Sequence, residues 1–525
     1  MTDAADRLIR RVKCDEEKPA CARCRNTGRT CDGYLVSPPI DPPIHPPQGA
    51  GTQHRALVIA PGPSLEIPGG PQERRCFRFF RDRTVPQLSG YFSSEFWSRL
   101  LLQATHHDPI IRHAVLAVGA SHERFEMLGP GPGADHDPGA FALEHYNKSI
   151  RGLSRAMSGR GKMAADVALT SCVLFTCFET LQDRYGSAIV HMKGGVKMMA
   201  DLERAERAEG QREGAGENQS PGHANLVWAP DAYLPRHYLE VIFTRLDMQL
   251  MQMANGPYET FQLHASNTQP GFGPEVPSEF SSIEEARNNA DFHGTRYLHA
   301  VERCSHATPG DDQDSIFMIQ ADYGATIERW FAAFEVFLEK MGPNLSAEEL
   351  NGALVLKIQQ QIHGLVTKIQ YWPMPADEMI WDEFLPVFDQ IVTLARVVVR
   401  ASTQLSQIKP GRRTFSMDPG IVRPLFLTAF RARDPQLRRA AVALLDQTPR
   451  QESVWGANVL ASCARYIIAL EEGDREIRTA ADVPAFSRIN MVQPTFDFLG
   501  GKLVMTYTRR TEDSKSEVFS QVLTW

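Results

Sequence analysis

The feature that most limits how the start of this chain can fold is an array of four cysteines, Cys14, Cys21, Cys24 and Cys31. Two residues separate the central pair, and six residues separate each outer cysteine from its neighbour. Thiolates two residues apart can share one tetrahedral zinc ion, and each six-residue segment has room for a turn and a return. The regular spacing argues against four unrelated thiols and predicts a structural zinc site.

Basic residues surround this array. Residues 7–29 contain eight Lys and Arg side chains and three Asp and Glu side chains, whereas the whole chain of 525 residues has a formal net charge of −7. A local basic patch on an otherwise acidic protein is typical of a small nucleic-acid-binding module attached to a larger body.

Residues 10–34, RRVKCDEEKPACARCRNTGRTCDGY, resemble the fungal Zn(II)2Cys6 binuclear zinc cluster, the DNA-binding module of a family of fungal transcription regulators. The family pattern has six cysteines, and counting backwards from Cys14 places the first two at Ala4 and Arg7. Neither side chain replaces a zinc-binding thiolate. The resemblance implies that the first and fourth cysteines bridge both metals, so this chain keeps one bridging ligand, Cys21, and neither zinc reaches four protein ligands.

Three explanations for the missing ligands stay open at the level of sequence. In the first, an error in the assigned gene structure replaces the true first exon with residues 1–9. In the second, the protein is a degenerate relative that folds around one zinc ion held by the four cysteines, or hardly folds there. In the third, Asp3 and Asp6 act as substitute ligands, although they lie one residue out of register.

For an intact module, the resemblance implies that a helix beginning in the basic run enters the major groove of DNA. Arg11 and Lys13 match the positions at which the family reads base edges, preferably those of guanine-rich half-sites. Arg10, Lys18 and Arg25 are expected to contact phosphates. In this family dimer spacing sets the separation of the half-sites, so a homodimer is a further expectation.

Residues 35–75 are rich in Pro, Gly, His and Gln, with Pro-Pro pairs that begin at positions 38, 42 and 46. Such a composition excludes a helix or a central strand and predicts a semi-rigid, partly polyproline II linker. The linker separates the zinc module, residues 1–34, from a body that comprises residues 76–525. It has no heptad repeat of the kind that forms a dimerising coiled coil.

The body is predicted to be nearly all α-helical, because its apolar residues recur at helical spacing. Six of the later stretches with this spacing are residues 167–181, 239–253, 316–341, 354–371, 384–405 and 454–470. Residues 496–499 and 503–507, on either side of two glycines, predict a short C-terminal β-hairpin. Residues 129–138 and 202–223 break the helical pattern and are expected to form loops.

Residues 79–123 and 167–199 resemble the helical fungal-specific transcription factor domain that follows the zinc cluster in many such regulators. The resemblance is diffuse, being made of helical patterns, and it covers most of residues 76–480. It implies a regulatory and protein-interaction domain, built as a solenoid or a bundle, that controls activation.

Few residues of the body suggest catalysis. The chain has no nucleophile elbow and no Walker loop, so an enzyme is not expected. Four histidines, His106, His107, His113 and His122, fall in one helical region, but their spacing spreads them around the helix and is not that of a metal site. The remaining cysteines are scattered, which favours a reducing compartment, and no apolar run is long enough to span a bilayer.

The sequence therefore predicts a zinc-dependent fungal regulator of RNA polymerase II promoters, located in the nucleus. Its expected partners are double-stranded DNA and the transcription machinery, and its targets are the genes of a metabolic or secondary-metabolite pathway. The alternative is an interaction protein that kept the helical domain and lost DNA recognition. An enzyme is the third alternative, and it requires a deep pocket lined by convergent ionisable groups.

The two kinds of DNA contact predict different mutant phenotypes. Lys13→Ala is expected to relax sequence preference by about 1–3 kcal/mol, because this side chain matches a base-reading position. Arg25→Ala is expected to weaken binding to all sequences equally, because phosphate contacts carry no sequence information. Titration of both variants on specific and random duplexes measures the difference, and equal losses for both would contradict this division of roles.

Overall fold

The computed structural model describes part of the chain, and that part belongs to one unit, Pro61–Trp525. The described residues are 66–127, 138–158, 163–215, 226–228, 232–252, 271, 273–305, 313–369, 377–405, 412–497, 502–510 and 516–524. The cysteine array, the linker up to residue 65 and the basic residues expected to contact DNA (Arg10, Arg11, Lys13, Lys18 and Arg25) lie outside these ranges.

Eight of the described helices form the first half of this unit. They are α1 (Pro71–Phe79), α2 (Val85–Leu88), α3 (Leu101–His107), α4 (Pro109–Met127), α5 (Pro138–Ser158), α6 (Ala165–Leu181), α7 (Tyr185–Ala215) and α8 (Arg236–Met251). Short π-helical turns at Phe80–Thr84 and Phe96–Leu100 lead into α2 and α3. Two short parallel strands, β1 (Met163–Ala164) and β2 (Leu226–Val227), precede α6 and α8.

The first hydrophobic core is centred on α6. Nearly every position of this helix is buried, as expected for a helix that is apolar around its whole circumference. Helices α4, α5, α7 and α8 all pack against it. Residues between 67 and 250 supply almost all of this core, and the exceptions are Phe292, Phe415 and Met417.

Seven further helices form the second half. They are α9 (Ile283–Ser305), α10 (Gln313–Met341), α11 (Ala347–Lys368), α12 (Leu385–Leu405), α13 (Val422–Arg431), α14 (Pro435–Gln447) and α15 (Ala457–Glu472). Side-chain caps fix where two of them begin: Ser346 accepts the N–H of Glu349 at the start of α11, and Asp434 caps α14. A second core, drawn from Tyr91, Phe92 and residues 280–468, joins these helices.

Two three-stranded sheets complete the described fold. Strand β3 (Thr414–Ser416) pairs in parallel with β4 (Arg450–Glu452), which pairs antiparallel with β5 (Trp455–Gly456). The second sheet is an antiparallel meander of β6 (Ile489–Asp497), β7 (Lys502–Arg510) and β8 (Ser516–Thr524). Ile489, Met505 and Tyr507 of the meander form a small third core with Cys463 and Ile467 of α15.

The prediction of a mostly α-helical body is confirmed, and its long amphipathic stretches correspond to helices α6, α8, α10, α11, α12 and α15. The predicted hairpin is confirmed by the pairing of β6 with β7, but both strands are longer than expected. The third strand, β8, was not expected. The first of the described helices begins at Pro71, within the segment that the sequence assigns to the linker.

The expectation of a loop at residues 202–223 is wrong for residues 202–215, because α7 continues to Ala215, and residues 216–223 lie outside the described ranges. Glu203 pairs with Arg207 at 3.1 Å, one helical turn away, and Glu206 pairs with Arg236 of α8 at 2.6 Å. Charged residues of this kind have good helix propensity and stabilise one another at a spacing of four residues. The many Glu and Arg residues of this segment therefore favour a helix and not a loop.

A buried carboxylate, that of Glu471, joins α13, α14 and α15 to the last sheet. Its Oε1 lies 2.9 Å from Nη2 of Arg433, and its Oε2 lies 2.7 Å from Nη2 of Arg438. The same Oε1 accepts the backbone N–H of Ile489, the first residue of β6, at 2.9 Å. All three side chains in these ion pairs are fully buried. Burial opposes the charge of Glu471, but the two guanidinium groups hold its pKa below the ordinary value.

A second carboxylate extends this network to the 3-10 helical segment Glu378–Phe384. Glu378 lies 2.6 Å from Arg431 and 3.0 Å from Arg433, and Arg488 binds Asp382 at 2.7 Å. The guanidinium of Arg431 also donates to the backbone carbonyl of Asn490. We call Glu378, Asp382, Glu471 and Arg431, Arg433, Arg438 and Arg488 the arginine–carboxylate network.

Replacement of Glu471 by Gln is expected to destabilise the protein by about 3–5 kcal/mol, because it leaves Arg433 and Arg438 buried without their shared counter-charge. Since the pKa of Glu471 is lower in the folded state, the wild-type advantage is present above the ordinary carboxyl pKa. It is lost as pH falls through the folded value. Urea unfolding at several pH values measures both effects. Glu476→Gln is the matched control, since its pairing with Arg478 is exposed, and an equal change in both variants would contradict the prediction.

Candidate functional site

A cleft of about 630 Å³ lies where the two large hydrophobic cores meet. Five segments line it: residues 91–96, one face of α8, the start of α9 with the residues before it, the end of α10 and the start of α11. Phe96 and Val241 belong to the first core, whereas Phe92 and Phe337 belong to the second. The cleft thus has apolar walls from both halves of the described unit.

Two arginines supply the positive charge of the lining. Arg245 of α8 lies 2.7 Å from Asp291, and Arg287 of α9 lies 2.8 Å from Asp418, which follows β3. Asp291 is also 4.0 Å from Nε of Arg287, so each guanidinium has a carboxylate and the two pairs are adjacent. The guanidinium of Arg287 stacks over the ring of Phe92 at 4.0 Å.

The two arginines respond differently to this environment. Burial, followed by the nearby charge of Arg245, lowers the pKa of Arg287. Burial also opposes the charge of Arg245, but Asp291 and Asp418 raise its pKa above the ordinary value. Arg287 is therefore the less favourably placed charge, and the stacking on Phe92 and the pairing with Asp418 compensate for its desolvation.

The rim of the cleft carries the carboxylates of Glu95, Glu284, Glu348 and Glu349. Glu95 accepts a hydrogen bond from Tyr238, and Glu349 caps the start of α11 with Ser346. Among the described residues that line the cleft, none is His or Cys, and the hydroxyls of Ser281 and Ser346 donate to the carboxylates of Glu285 and Glu349. The cleft can enclose a small molecule with an apolar face, and the acidic rim disfavours an anionic one.

The histidines that the sequence singles out do not converge. Nδ1 of His122 lies 2.9 Å from the hydroxyl of Thr84, and the side chain is completely buried. His107 stacks on Tyr233 with ring centroids 4.3 Å apart. His113 faces His145, which lies on the next helix, α5. Burial lowers the pKa of His122 to about 3, so this side chain is neutral at physiological pH.

The described cysteines are free thiols, and Cys76, Cys172, Cys177 and Cys463 are buried. Burial raises the pKa of Cys172 and of Cys463 to about 12 and that of Cys76 to about 11. Thiols of this kind behave as small hydrophobic side chains and not as nucleophiles or metal ligands. None of the described helices combines the length and the apolar character needed to cross a bilayer.

Two domain families match the chain. The fungal Zn(2)-Cys(6) binuclear cluster domain matches residues 9–39, and the fungal specific transcription factor domain matches residues 75–224. The first match contains all four cysteines of the array and begins after Ala4 and Arg7.

Two curated relatives are transcription regulators. The Aspercryptin biosynthesis cluster-specific transcription regulator of Emericella nidulans is 26% identical over 440 residues, which cover 78% of this chain and 65% of the relative. The transcription regulator lscL of Purpureocillium lilacinum is 29% identical over 208 residues, or 36% of this chain and 47% of the relative. The matched regions thus span less than two thirds of either relative. No solved structure matches the chain significantly.

A zinc cluster followed by a fungal specific transcription factor domain is a domain order of fungal transcription regulators. The two domain matches and the two relatives named as regulators support a fungal Zn2Cys6 transcription factor. The resemblance noted in the sequence is thereby confirmed.

Zinc is the metal of this family, whose cluster domain binds two ions. Four thiolates suit one tetrahedral zinc ion. They do not suit the binuclear cluster, because Ala4 and Arg7 stand where its first two ligands belong. The donor set of this chain therefore fits a mononuclear zinc site and does not fit the family's two-metal site.

Two glycines in α11 provide a test of how tightly the cleft wall is held. A Cβ atom at Gly352 would lie 2.7 Å from the carbonyl oxygen of Tyr91, whereas one at Gly364 would meet only Ile327, at 3.8 Å. Gly364→Ala is expected to stabilise the protein by about 0.5–1 kcal/mol through helix propensity. Gly352→Ala is expected to destabilise it instead, because residues 91 and 92 must move. Thermal unfolding of both variants measures this, and stabilisation by Gly352→Ala would show that the wall is loosely packed.

Proposed function

We propose that this protein is a sequence-specific DNA-binding regulator of RNA polymerase II transcription. The observation that carries the proposal is the occurrence, in one chain, of a basic four-cysteine array and a fungal-specific transcription factor domain. The array supplies zinc-dependent folding to a segment too short for its own hydrophobic core, and the basic residues supply affinity for phosphates.

The pathway that it controls is proposed to be metabolic. One relative is named as the regulator of a biosynthesis cluster, that for aspercryptin, and this supports a role in the control of a metabolic or secondary-metabolite pathway here. The product need not be the same, since the two proteins share only 26% identity.

The proposed division of labour assigns DNA recognition to residues 1–34, spacing to residues 35–75 and regulation to residues 76–525. Cys14, Cys21, Cys24 and Cys31 are the proposed zinc ligands. Arg11 and Lys13 are the proposed base-reading residues, and Arg10, Lys18 and Arg25 the proposed phosphate contacts. Guanine-rich half-sites, a homodimer and a nuclear location complete the proposal.

A second candidate function is that of a regulatory interaction protein without DNA binding. The observation that favours it is the presence of Ala4 and Arg7 at the first two ligand positions of the family pattern. A module that cannot assemble the family's two-metal cluster would lose its folded shape and with it the presentation of the basic residues.

The decisive experiment compares the full-length protein with a variant in which Cys14, Cys21, Cys24 and Cys31 are all replaced by Ser. Loss of one zinc ion per chain, measured by elemental analysis, together with loss of sequence-specific duplex binding is expected if the array folds around a metal. Cys304→Ser is the matched control, since that thiol lies in the helical body, and it should change neither quantity. Unchanged zinc content in the four-serine variant, together with no sequence-specific duplex binding by either protein, would favour the interaction protein.

A further inference from the structure

We propose that Glu73, His113 and His145 form a zinc site in the helical body, separate from the cysteine array. They come from three different helices: Glu73 from the first turn of α1, His113 from α4 and His145 from α5. One donor atom from each residue lies within 4.8 Å of the donor atoms of the other two.

The two imidazoles already have a geometry close to that of zinc ligands. Their Nδ1 atoms are 3.0 Å apart, and the rings meet at 60°. Two nitrogens bound to one tetrahedral zinc ion are separated by about 3.3 Å, given bonds of about 2.0–2.1 Å. In the metal-free protein one ring must donate its Nδ1 proton to the other. Transfer of that proton to Nε2 of the same ring leaves both rings neutral, with two Nδ1 lone pairs that face a common point.

Glu73 supplies the third donor. Its Oε2 accepts the backbone N–H of Gly70 at 2.6 Å, and its Oε1 lies 3.8 Å from Nε2 of His145. The hydrogen bond from Gly70 would orient the carboxylate, as outer-shell partners do in metal sites. The side chain of Glu73 is 27% exposed, so it has room to turn toward a metal between the imidazoles.

The surroundings suit a cation that enters from one side. The side chain of His145 is 3% exposed and packs against the ring of Phe141 at 4.3 Å, which closes the inner side of the site. Two cationic side chains lie nearby, but Lys148 is paired with Glu144 at 2.7 Å. The other, Arg112, donates to the backbone carbonyls of Thr105 and His106.

Two imidazoles and one carboxylate are a ligand set that zinc accepts with a fourth position left open. Such a site would fasten the first turn of α1 to the α4–α5 pair. Because α1 is the first described helix after the cysteine array, metal occupancy would fix the start of the regulatory body. The structure of the helical body would then respond to the zinc concentration independently of the cysteine array.

The test uses the full-length variant in which the four array cysteines are replaced by Ser, so that thiolate ligation cannot contribute. After removal of metal with a chelator, this protein is expected to bind one zinc ion per chain in a calorimetric titration. His113→Gln on the same background is expected to abolish the binding. Glu73→Gln is expected to weaken it by at least about tenfold, since even the loss of an outer-shell partner costs this much.

Matched controls separate ligation from a general loss of structure. Glu476→Gln removes an exposed carboxylate of another ion pair, and His107→Gln removes a histidine that stacks elsewhere; both should bind zinc as the parent does. Zinc should raise the thermal unfolding temperature of the parent and of both controls, should raise that of Glu73→Gln by less at the same zinc concentration, and should leave that of His113→Gln unchanged.

Cobalt gives a second readout on the protein with its cysteines intact. Cobalt bound to the array gives a thiolate charge-transfer band, whereas cobalt bound to imidazole and carboxylate ligands gives none. His113→Gln should reduce the visible d–d absorption by the contribution of the site in the helical body and leave the charge-transfer band unchanged. The proposal is overturned if the four-serine protein binds no zinc, or if its zinc binding is unchanged by both Glu73→Gln and His113→Gln. Neither result depends on whether the protein binds DNA.

Discussion

Glu471 receives two guanidinium groups and one backbone N–H in a place that water does not reach, and the C-terminal part of the protein is arranged around it. Moving charges of this kind out of water is costly, and the cost is recovered only when each hydrogen-bonding position is filled in good geometry. Helices α13, α14 and α15 must therefore approach one another in a single register. The first residue of β6 is fixed by the same carboxylate, so the start of the last sheet depends on it.

The junction between the two large cores is also held by ion pairs that are largely shielded from water, but it contains fewer charges. Arg245 and Arg287 are paired with Asp291 and Asp418, and this polar layer lies between apolar surfaces that would otherwise fuse into one core. A polar layer fixes orientation more strictly than apolar packing does, because unpaired buried charges are penalised. The cleft remains beside this layer, where neither half supplies enough side chains to fill the space.

Most of the fold could be predicted from the helical spacing of apolar residues. Helix α6 and helices α10 to α12 follow from the spacing of apolar residues, since each buries a face or a whole circumference. The end of α7 was missed because its stability comes from ion pairs and not from apolar spacing. Strand β8 was missed because its residues alternate only weakly and it is recognisable mainly as the partner of β7.

The candidate sites were less accessible to sequence reasoning than the helices. The ligands Glu73, His113 and His145 are distant in sequence, and only the packing of α1 and α5 on α4 brings them together. The arginine–carboxylate network joins residues 378 to 488 in the same way. In contrast, the cysteine array is local, so spacing alone identifies its chemistry.

The segregation of the two cores along the chain has a consequence for biosynthesis. Almost all of the first core is encoded before residue 251, so it can condense on the ribosome while the second half is still being made. Tyr91 and Phe92 are the early residues that belong to the second core, and Phe292, Phe415 and Met417 are the late ones that complete the first. Until the later helices are made, the apolar surface where the two cores meet therefore stays exposed on the nascent domain. Chaperones would bind at this surface.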